Sequence, residues 1–368
     1  MTAFFYNIAE WLSIFIVFKK IIITLLTTYL FQMYHYATIK DIAKELKISV
    51  STVSRALRDT YDVSPETREM VLAMATRLNY KPNYNAIGLA KGSTNNIGII
   101  LPFIANYYFS TVITGIQEIA YSRGFNIILF VTNDSPEREL AIFENLPVAA
   151  LDGLLVCVSS TSDSCEHFQK TIDEGIPVVF FDRASNIKTS KVIQDDFNGA
   201  FEAVEHLIKS GYKKIAHIGG PRGLLFTERR LQGYLTALEK YNISINNDWI
   251  IHTAFSQASG EADTYQLLAC KNRPDAIFAV NDRKAIGAIV ALKKEKIVIG
   301  KDMGVVGFTN DPISALISPS LTTVAEPAFE VGKLSCELLL KHIKKRNFIP
   351  EEISLPGQLI VRESSIRN

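Results

Sequence analysis

Between Val50 and Arg55 the chain reads VSTVSR, three hydroxyls and a guanidinium within six residues. Ser51, Thr52 and Ser54 can bond phosphate oxygens or base edges, and Arg55 can grip guanine through two parallel hydrogen bonds. This is the chemistry of nucleic-acid recognition, not of bond making. The flanking sequence supplies elements to position it. Thr38 can cap a first helix, with Asp41 three residues on completing a capping box. Ile39, Ile42, Ala43 and Leu46 recur at helical spacing as one buried face. Lys47-Ile48-Ser49 makes a turn, and Ser49 can cap a second helix whose inner face is Val53, Ala56 and Leu57. Val50, Ser51, Thr52, Ser54 and Arg55 then lie outward or at its leading end, the part of a recognition helix that meets base edges in a major groove. A third helix opens at Ser64-Pro65, with Val71, Met74, Ala75 and Leu78 as its core face. An amphipathic pair taken alone is more often an ordinary helical hairpin. Here the turn, the hydroxyl-rich second helix and the N-terminal position favour DNA. Charge adds modest support: Thr38–Gly92 holds nine basic and six acidic residues, a net of +3, in a chain of net +1. Tight binding must come from local placement or from two copies.

A second group of polar residues stands at the ends of apolar runs. From Ile97 onward such runs alternate with helical stretches: Ile97–Leu101, Ile127–Val131, Gly153–Val158, Pro177–Phe181, Lys214–Ile218, Ala276–Val280 and Gly304–Phe308. Helices are expected up to Arg123-Gly124, after Val131, and over Phe197–Ser210, Thr227–Tyr241 and Asp282–Lys294. This pattern predicts parallel sheets covered on both faces, and its length asks for two α/β subdomains. Ligands of open parallel sheets sit beyond the carboxyl ends of the strands. That rule selects Pro102 and Phe103 with Tyr108 and Phe109, Asp182 with Arg183, Asn281 with Asp282, Thr309 with Asn310, and Arg230 at the start of a helix. Aromatic faces joined by carboxylate, guanidinium and amide groups suit a sugar. Singly, each has a plainer reading: Asp182 as a turn cap, Asn281-Asp282 as a helix cap, Phe109 as core even with Tyr108 exposed.

No catalytic kit is legible. No stretch satisfies a phosphate-loop or dinucleotide fingerprint, and there is no G-x-S-x-G elbow. The six histidines form no H-x-x-x-H pair, and Cys157, Cys165, Cys270 and Cys336 no C-x-x-C. Scattered cysteines fit a reducing cytosol. No metal, no cofactor and no enzymatic activity are expected.

The stretches TIKDIAKELKISVSTVSRAL, VSPETREMVLAMATRLNYKPN and AIGLAKGSTNNIGIILP resemble the LacI/GalR family of bacterial transcription regulators. The likeness continues through FFDR (180–183), GYKKIAHIGG (211–220), RLQGY (230–234), PDAIFAVNDRKAIGA (274–288), VVGFTN (305–310) and LTTV (321–324). It implies a fold of class α/β, with an N-terminal three-helix helix-turn-helix headpiece (37–82) and a hinge (83–95). The body (96–368) is expected to be periplasmic-binding-protein-like, with two doubly wound parallel-sheet subdomains. Three chain crossings would give one subdomain at about 96–194 and 326–353, and the other at about 195–325 and 354–368. By itself the hinge, NYNAIGLAKGSTN, reads equally as a passive linker or as one or two marginal helical turns. The resemblance implies that it becomes helical only on operator DNA, where a leucine from each of two subunits pries open the minor groove. Leu89 matches that leucine and Ala90 follows it. Thr38 and Asn83 complete the expected DNA-contact set. Phe103, Tyr108, Phe109, Asp182, Arg230, Asn281, Thr309, Asn310 and Glu326 form the expected effector set, Arg230 foremost. Thr309 stands where the family often carries aspartate, and Ala325-Glu326 where it often carries Arg/Lys-Gln. The resemblance thus implies a cytoplasmic, homodimeric regulator, a repressor by preference. It would bind double-stranded operator DNA under control of a small molecule, a carbohydrate by preference.

The first 36 residues fit this scheme least. Trp11–Phe18 and Ile21–Phe31 are apolar but are split by Lys19-Lys20, and each is shorter than the roughly 20 residues of a span. Three readings stand: a true translation start at Met33, a membrane-associated tail, or a cleaved signal lacking a small-x-small site before Ala37. The first is preferred because it places the helix-turn-helix at the extreme N-terminus. The rival for the whole chain is a membrane-tethered or exported sugar-binding receptor, favoured by this segment and opposed by the helix-turn-helix.

Overall fold

The computed structural model describes Lys19 and residues 37–58, 62–81, 93–146, 150–159, 165–345 and 349–367. The N-terminal extension, apart from Lys19, and the hinge residues Asn83, Leu89 and Ala90 lie outside the described residues. The chain divides into two compact units that meet at residues 87/88.

The first unit holds α1 (Ile39–Leu46), α2 (Val50–Leu57) and α3 (Pro65–Arg77). Its core is Ile42, Ala43, Val53, Ala56 and Val71, with Ile39, Leu46, Leu57, Met74, Ala75 and Leu78 packed against it. The turn after α1 is made by Lys47, whose N–H reaches the carbonyls of Ala43 and Lys44 and whose left-handed conformation (φ 53°) turns the next N–H, that of Ile48, back to the Ala43 carbonyl at 3.1 Å. Ser64 caps α3 and Pro65 opens it, where a missing N–H costs nothing.

The second unit consists of two sheets with helices on their faces. Its elements run β1 (Asn96–Leu101), α4 (Tyr107–Ser122), β2 (Asn126–Val131), α5 (Pro136–Glu144), β3 (Gly153–Val156), α6 (Glu166–Asp173), β4 (Val178–Phe181) and β5 (Lys191–Gln194). Next come α7 (Asp196–Lys209), β6 (Ile215–Gly219), α8 (Leu225–Lys240), β7 (Ile250–His252), α9 (Gln257–Ala269), β8 (Ala276–Ala279) and α10 (Asp282–Lys294). The chain ends with β9 (Gly304–Thr309), α11 (Ile313–Leu316), β10 (Thr322–Ala325), α12 (Ala328–Lys344), β11 (Glu352–Leu355) and β12 (Gln358–Ile360). The first sheet has the order β11-β5-β4-β3-β1-β2 and the second β12-β10-β9-β8-β6-β7.

In each sheet the strand order reverses beside its first strand, β1 or β6, and such reversals open a crevice at the carboxyl ends. The chain crosses between the sheets at Asp195, at Glu326-Pro327 and at Pro356-Gly357. The last crossing corrects the expected division at 353/354, which falls inside β11. A second correction concerns direction: β12 pairs antiparallel with β10 in a sheet otherwise parallel. The two-residue link leaves β11 at the carboxyl edge of the first sheet and enters the second sheet at its carboxyl edge, so β12 runs against its neighbours.

Glycines let the helices on the sheet faces approach closely. A Cβ on Gly332 of α12 would strike the Val112 carbonyl of α4, and one on Gly115 of α4 would strike the Phe329 carbonyl of α12. The crossings fix where β5, α7, α8 and the β10–α12 link come together, and that meeting point carries the polar residues described next.

Candidate DNA interface and candidate effector cleft

Ser49 caps α2 by accepting the Thr52 N–H at 3.0 Å, and its hydroxyl also bonds those of Ser51 and Thr52, each at 2.7 Å. The leading turn of α2 is therefore preordered by one side chain. Val50, Ser51 and Arg55 are exposed, while Thr52 and Ser54 are half-buried. The Arg55 Nη1 lies 3.2 Å from Asp62 Oδ2, and Arg58 Nη2 donates to Ser54 Oγ at 2.6 Å. The Arg55–Asp62 pair is about half exposed to solvent on both sides. Thr38 is exposed and donates both its hydroxyl and its N–H to Asp41. Lys40, Lys44, Lys47 and Arg58 are also exposed in this unit. The whole arrangement can offer hydroxyl, guanidinium and ammonium donors to a polyanion.

In the second unit the central residue is Arg230 on α8. Its Nε donates to Asp196 Oδ1 at 2.8 Å and its Nη1 to the Val280 carbonyl at 2.6 Å. Nη2 lies 2.7 Å from Asp196 Oδ1 and donates to Glu326 Oε1 at 2.6 Å. The guanidinium lies 3.6 Å from the Phe308 ring centre. Burial pulls the pKa of Arg230 down, but Asp196 and Glu326 outweigh it and hold the pKa up. Gln194, at the end of β5, donates to the same Glu326 oxygen at 3.2 Å. One carboxylate oxygen thus gathers an amide and a guanidinium across the chain crossings.

Asp182, after β4, sits at φ 58°, a conformation uncommon outside glycine. Its carboxylate accepts from Cys157 Sγ at 3.5 Å. Tyr108 is buried, not exposed, and its hydroxyl faces Asp182 without an acceptable hydrogen bond. Burial raises the pKa of Asp182, opposed by Arg183 and Arg230. Burial also raises Glu326. It pushes Asp196 and Asp282 up to about 7. Asp182 and Asp196 line an open cavity of about 560 Å³ between the two sheets' ends, together with Ser159, Cys165, Arg222 and Phe226.

The other expected residues are placed differently. Asn281 caps α10, its oxygen taken by the Lys284 N–H at 2.9 Å and its amide donated to the Phe255 carbonyl at 3.3 Å. Asn310 accepts a hydrogen bond from Arg362 Nη2 on its side-chain oxygen at 2.7 Å, and neighbouring Thr309 sits at a strained φ of 126°. Phe109 is in the core with Val112, Ile116 and Leu155. Phe103 is exposed. Asp196, Gln194, Phe226 and Arg362 were not selected from the sequence. Asp196 and Gln194 flank a strand end, so the rule that found Asp182 would have found them had β5 been recognised.

Two family profiles match the chain: bacterial regulatory proteins, lacI family, over residues 38–83, and a periplasmic binding protein-like domain over 204–365. The HTH-type transcriptional repressor PurR of Actinobacillus pleuropneumoniae serotype 3 is 32% identical over 336 residues, covering 90% of this chain and 99% of that protein. A solved lac repressor dimer bound to operator and the anti-inducer ONPF aligns with a TM-score of 0.79 at 26% identity, covering 90% of this chain and 100% of that one. A transcriptional regulator CelR–cellobiose complex aligns at 0.69 and 26% identity, covering 89% and 99%. This chain belongs to the lacI family of bacterial regulatory proteins.

Proposed function

We propose that this lacI-family protein is a repressor whose grip on operator DNA is set by a carbohydrate in the cleft around Arg230. The observation that carries the reading is the union of two parts in one chain. One is a helix-turn-helix with its leading turn ordered by Ser49. The other is a two-sheet body whose chain crossings hold buried polar groups beside an open cavity. Two headpieces, one from each copy in a homodimer, would read the halves of an inverted repeat, as HTH dimers do. The lac repressor structure, solved as a dimer on its operator, supports that assembly. The CelR complex, with cellobiose, supports the ligand class.

In this reading Val50, Ser51, Thr52, Ser54 and Arg55 meet bases and phosphates. Thr38 and Asn83 add contacts beside them, and Leu89-Ala90 enters the minor groove from a hinge at 83–95. Ligand binding shifts the relation of the two lobes and so the spacing of the two hinges. Each site can bias the other only through its difference in affinity for the two states. In this reading the protein works in the cytoplasm, where its operator is. Among the described residues no helix is long and apolar enough to cross a membrane.

Selection of bound duplexes from a random library by the full chain tests the reading. An enriched inverted repeat is the expected result. Enrichment of no sequence, with or without added sugars, would refute it.

A further inference from the structure

The cavity of about 560 Å³ has the volume of roughly nineteen waters at about 30 Å³ each, about three times that of one pyranose. Its inner end lies at the chain crossing, where Asp196 is buried and Asp182 and Arg183 are half-buried. Arg230 does not line it; that side chain spends its bonds on Asp196, Glu326 and the Val280 carbonyl, and so fixes Asp196 in place. The outer end is made by the turn leading into α8 and the start of that helix. There Arg222 is exposed, and Glu228 and Arg229 are half-buried. The Gly223 N–H donates to Glu228 Oε1 at 3.3 Å, which holds this turn in shape. Among the described residues Arg222 and Arg229 make no hydrogen bond or ion pair with the protein, so both guanidiniums keep their donors for a ligand. Leu225 and Arg230 are about 7.5 Å apart along the helix axis, at about 1.5 Å per residue, so the wall from the crossing to the outer turn is longer than one sugar ring.

The polar lining is balanced: Asp182, Asp196 and Glu228 accept, while Arg183, Arg222 and Arg229 donate. Arg183 gives one bond to Asp134 at 2.6 Å and keeps a buried Nε without a partner. We propose, resting on the carbohydrate reading above, that the cavity takes a neutral oligosaccharide of at least two rings, one against Asp182, Asp196 and Phe226 and the next against Arg222, Glu228 and Arg229. A sugar hydroxyl both donates and accepts, so one group serves a carboxylate and a guanidinium together. A phosphate ester would be repelled by the acids of this wall and an ammonium by its guanidiniums, so neither charge is selected. Phe226, stacked on Phe255 with ring centres 5.6 Å apart, offers an apolar face to a ring, and Val158, Ile193 and Leu224 add apolar wall.

The test is calorimetric titration of the full chain at pH 7 with neutral series of increasing length. These are glucose, cellobiose and cellotriose; glucose, maltose and maltotriose; galactose and lactose; and mannose and mannobiose. Glucosamine and glucose 6-phosphate are the charged controls. The expected result is a series in which the disaccharide binds at least tenfold tighter than its monosaccharide, with both charged sugars weaker than that disaccharide. In Arg222→Ala combined with Arg229→Ala that ratio falls toward one, and Arg229→Gln alone serves the same purpose should the double variant fold poorly. A monosaccharide binding as tightly as its oligomers, a charged sugar binding tightest, or a ratio unchanged in the folded variant overturns the inference and leaves the carbohydrate reading standing. No binding of any sugar overturns the carbohydrate reading and this inference with it.

Discussion

Arg230 Nη2 and Glu326 Oε1 lie 2.6 Å apart, joining α8 to the link between β10 and α12, one of the three places where the chain passes between sheets. The bond is more than 90% buried on both sides. Removing one partner from a buried pair leaves an uncompensated charge, typically costing about 3–5 kcal/mol. Arg230→Ala is therefore expected to lose about that much stability in urea denaturation at pH 7.5, together with all response to ligand. Asp196 and Glu326 would then have folded-state pKa values further above their unfolded ones. The folded state would bind more protons, so stability should return as pH falls toward 6. A variant equally destabilised at both pH values would contradict this electrostatic account.

Arg55→Ala should weaken binding to the selected operator by about 10- to 100-fold, the worth of one bidentate base contact. Binding to random duplex should weaken far less. Equal losses on both in a fluorescence-anisotropy titration would reduce Arg55 to a phosphate contact.

Ser49→Ala removes the cap of α2 and the anchor of two neighbouring hydroxyls. The headpiece should lose about 1 kcal/mol. Hydrogen exchange should show faster opening of the amides of α2, with those of the second unit unchanged. Protection equal to that of the unaltered protein would show that the cap is not limiting.

His217 stacks between Tyr234 and Phe278, its ring fully buried, and burial pushes its pKa down to about 3. The unfolded chain, with an ordinary histidine near 6.5, binds the extra proton first, so this group makes stability fall as pH drops from 6.5 toward 3. Between pH 7 and pH 5 the loss from this group alone is about 2 kcal/mol. His217→Phe should abolish that component, read as a flatter pH dependence of unfolding free energy. An identical slope in the variant would contradict the assignment.

Gly332→Ala would drive a methyl into the Val112 carbonyl, a backbone atom with no room to move. A cost of about 1–3 kcal/mol is expected. Gly124→Ala meets nothing within 4 Å and carries only the strain of its φ of 75°. Thermal melts in which the second variant is the more damaging would place the helix contact elsewhere.

The parts legible in the sequence share a physical cause. The headpiece reads clearly because caps and apolar faces lie within a few residues of one another. Apolar runs such as Val178–Phe181 and Ala276–Val280 announce buried strands, so the polar residues just beyond them, Asp182 and Asn281, stand out. Asn281 also shows the limit, because a cap and a ligand contact place the same residue type at the same position.

Other elements were hidden by length and distance. β5, β7, β10, β11 and β12 have three or four residues of mixed composition and gain their order from partners far along the chain. Gln194 meets Glu326 across 132 positions, and Asn310 meets Arg362 across 52. No local pattern encodes such pairs.

The central claim is that the Val50–Arg55 face and the Arg230 cleft share one equilibrium. The most direct measurement is the Kd of the full chain for its selected duplex across a titration of the sugar that binds it, paired with the sugar's Kd in the presence of saturating duplex. The account predicts that each ligand changes the other's affinity by the same factor, at least fivefold, and that Arg230→Ala erases both changes. Two affinities that stay independent over the full titration would contradict it.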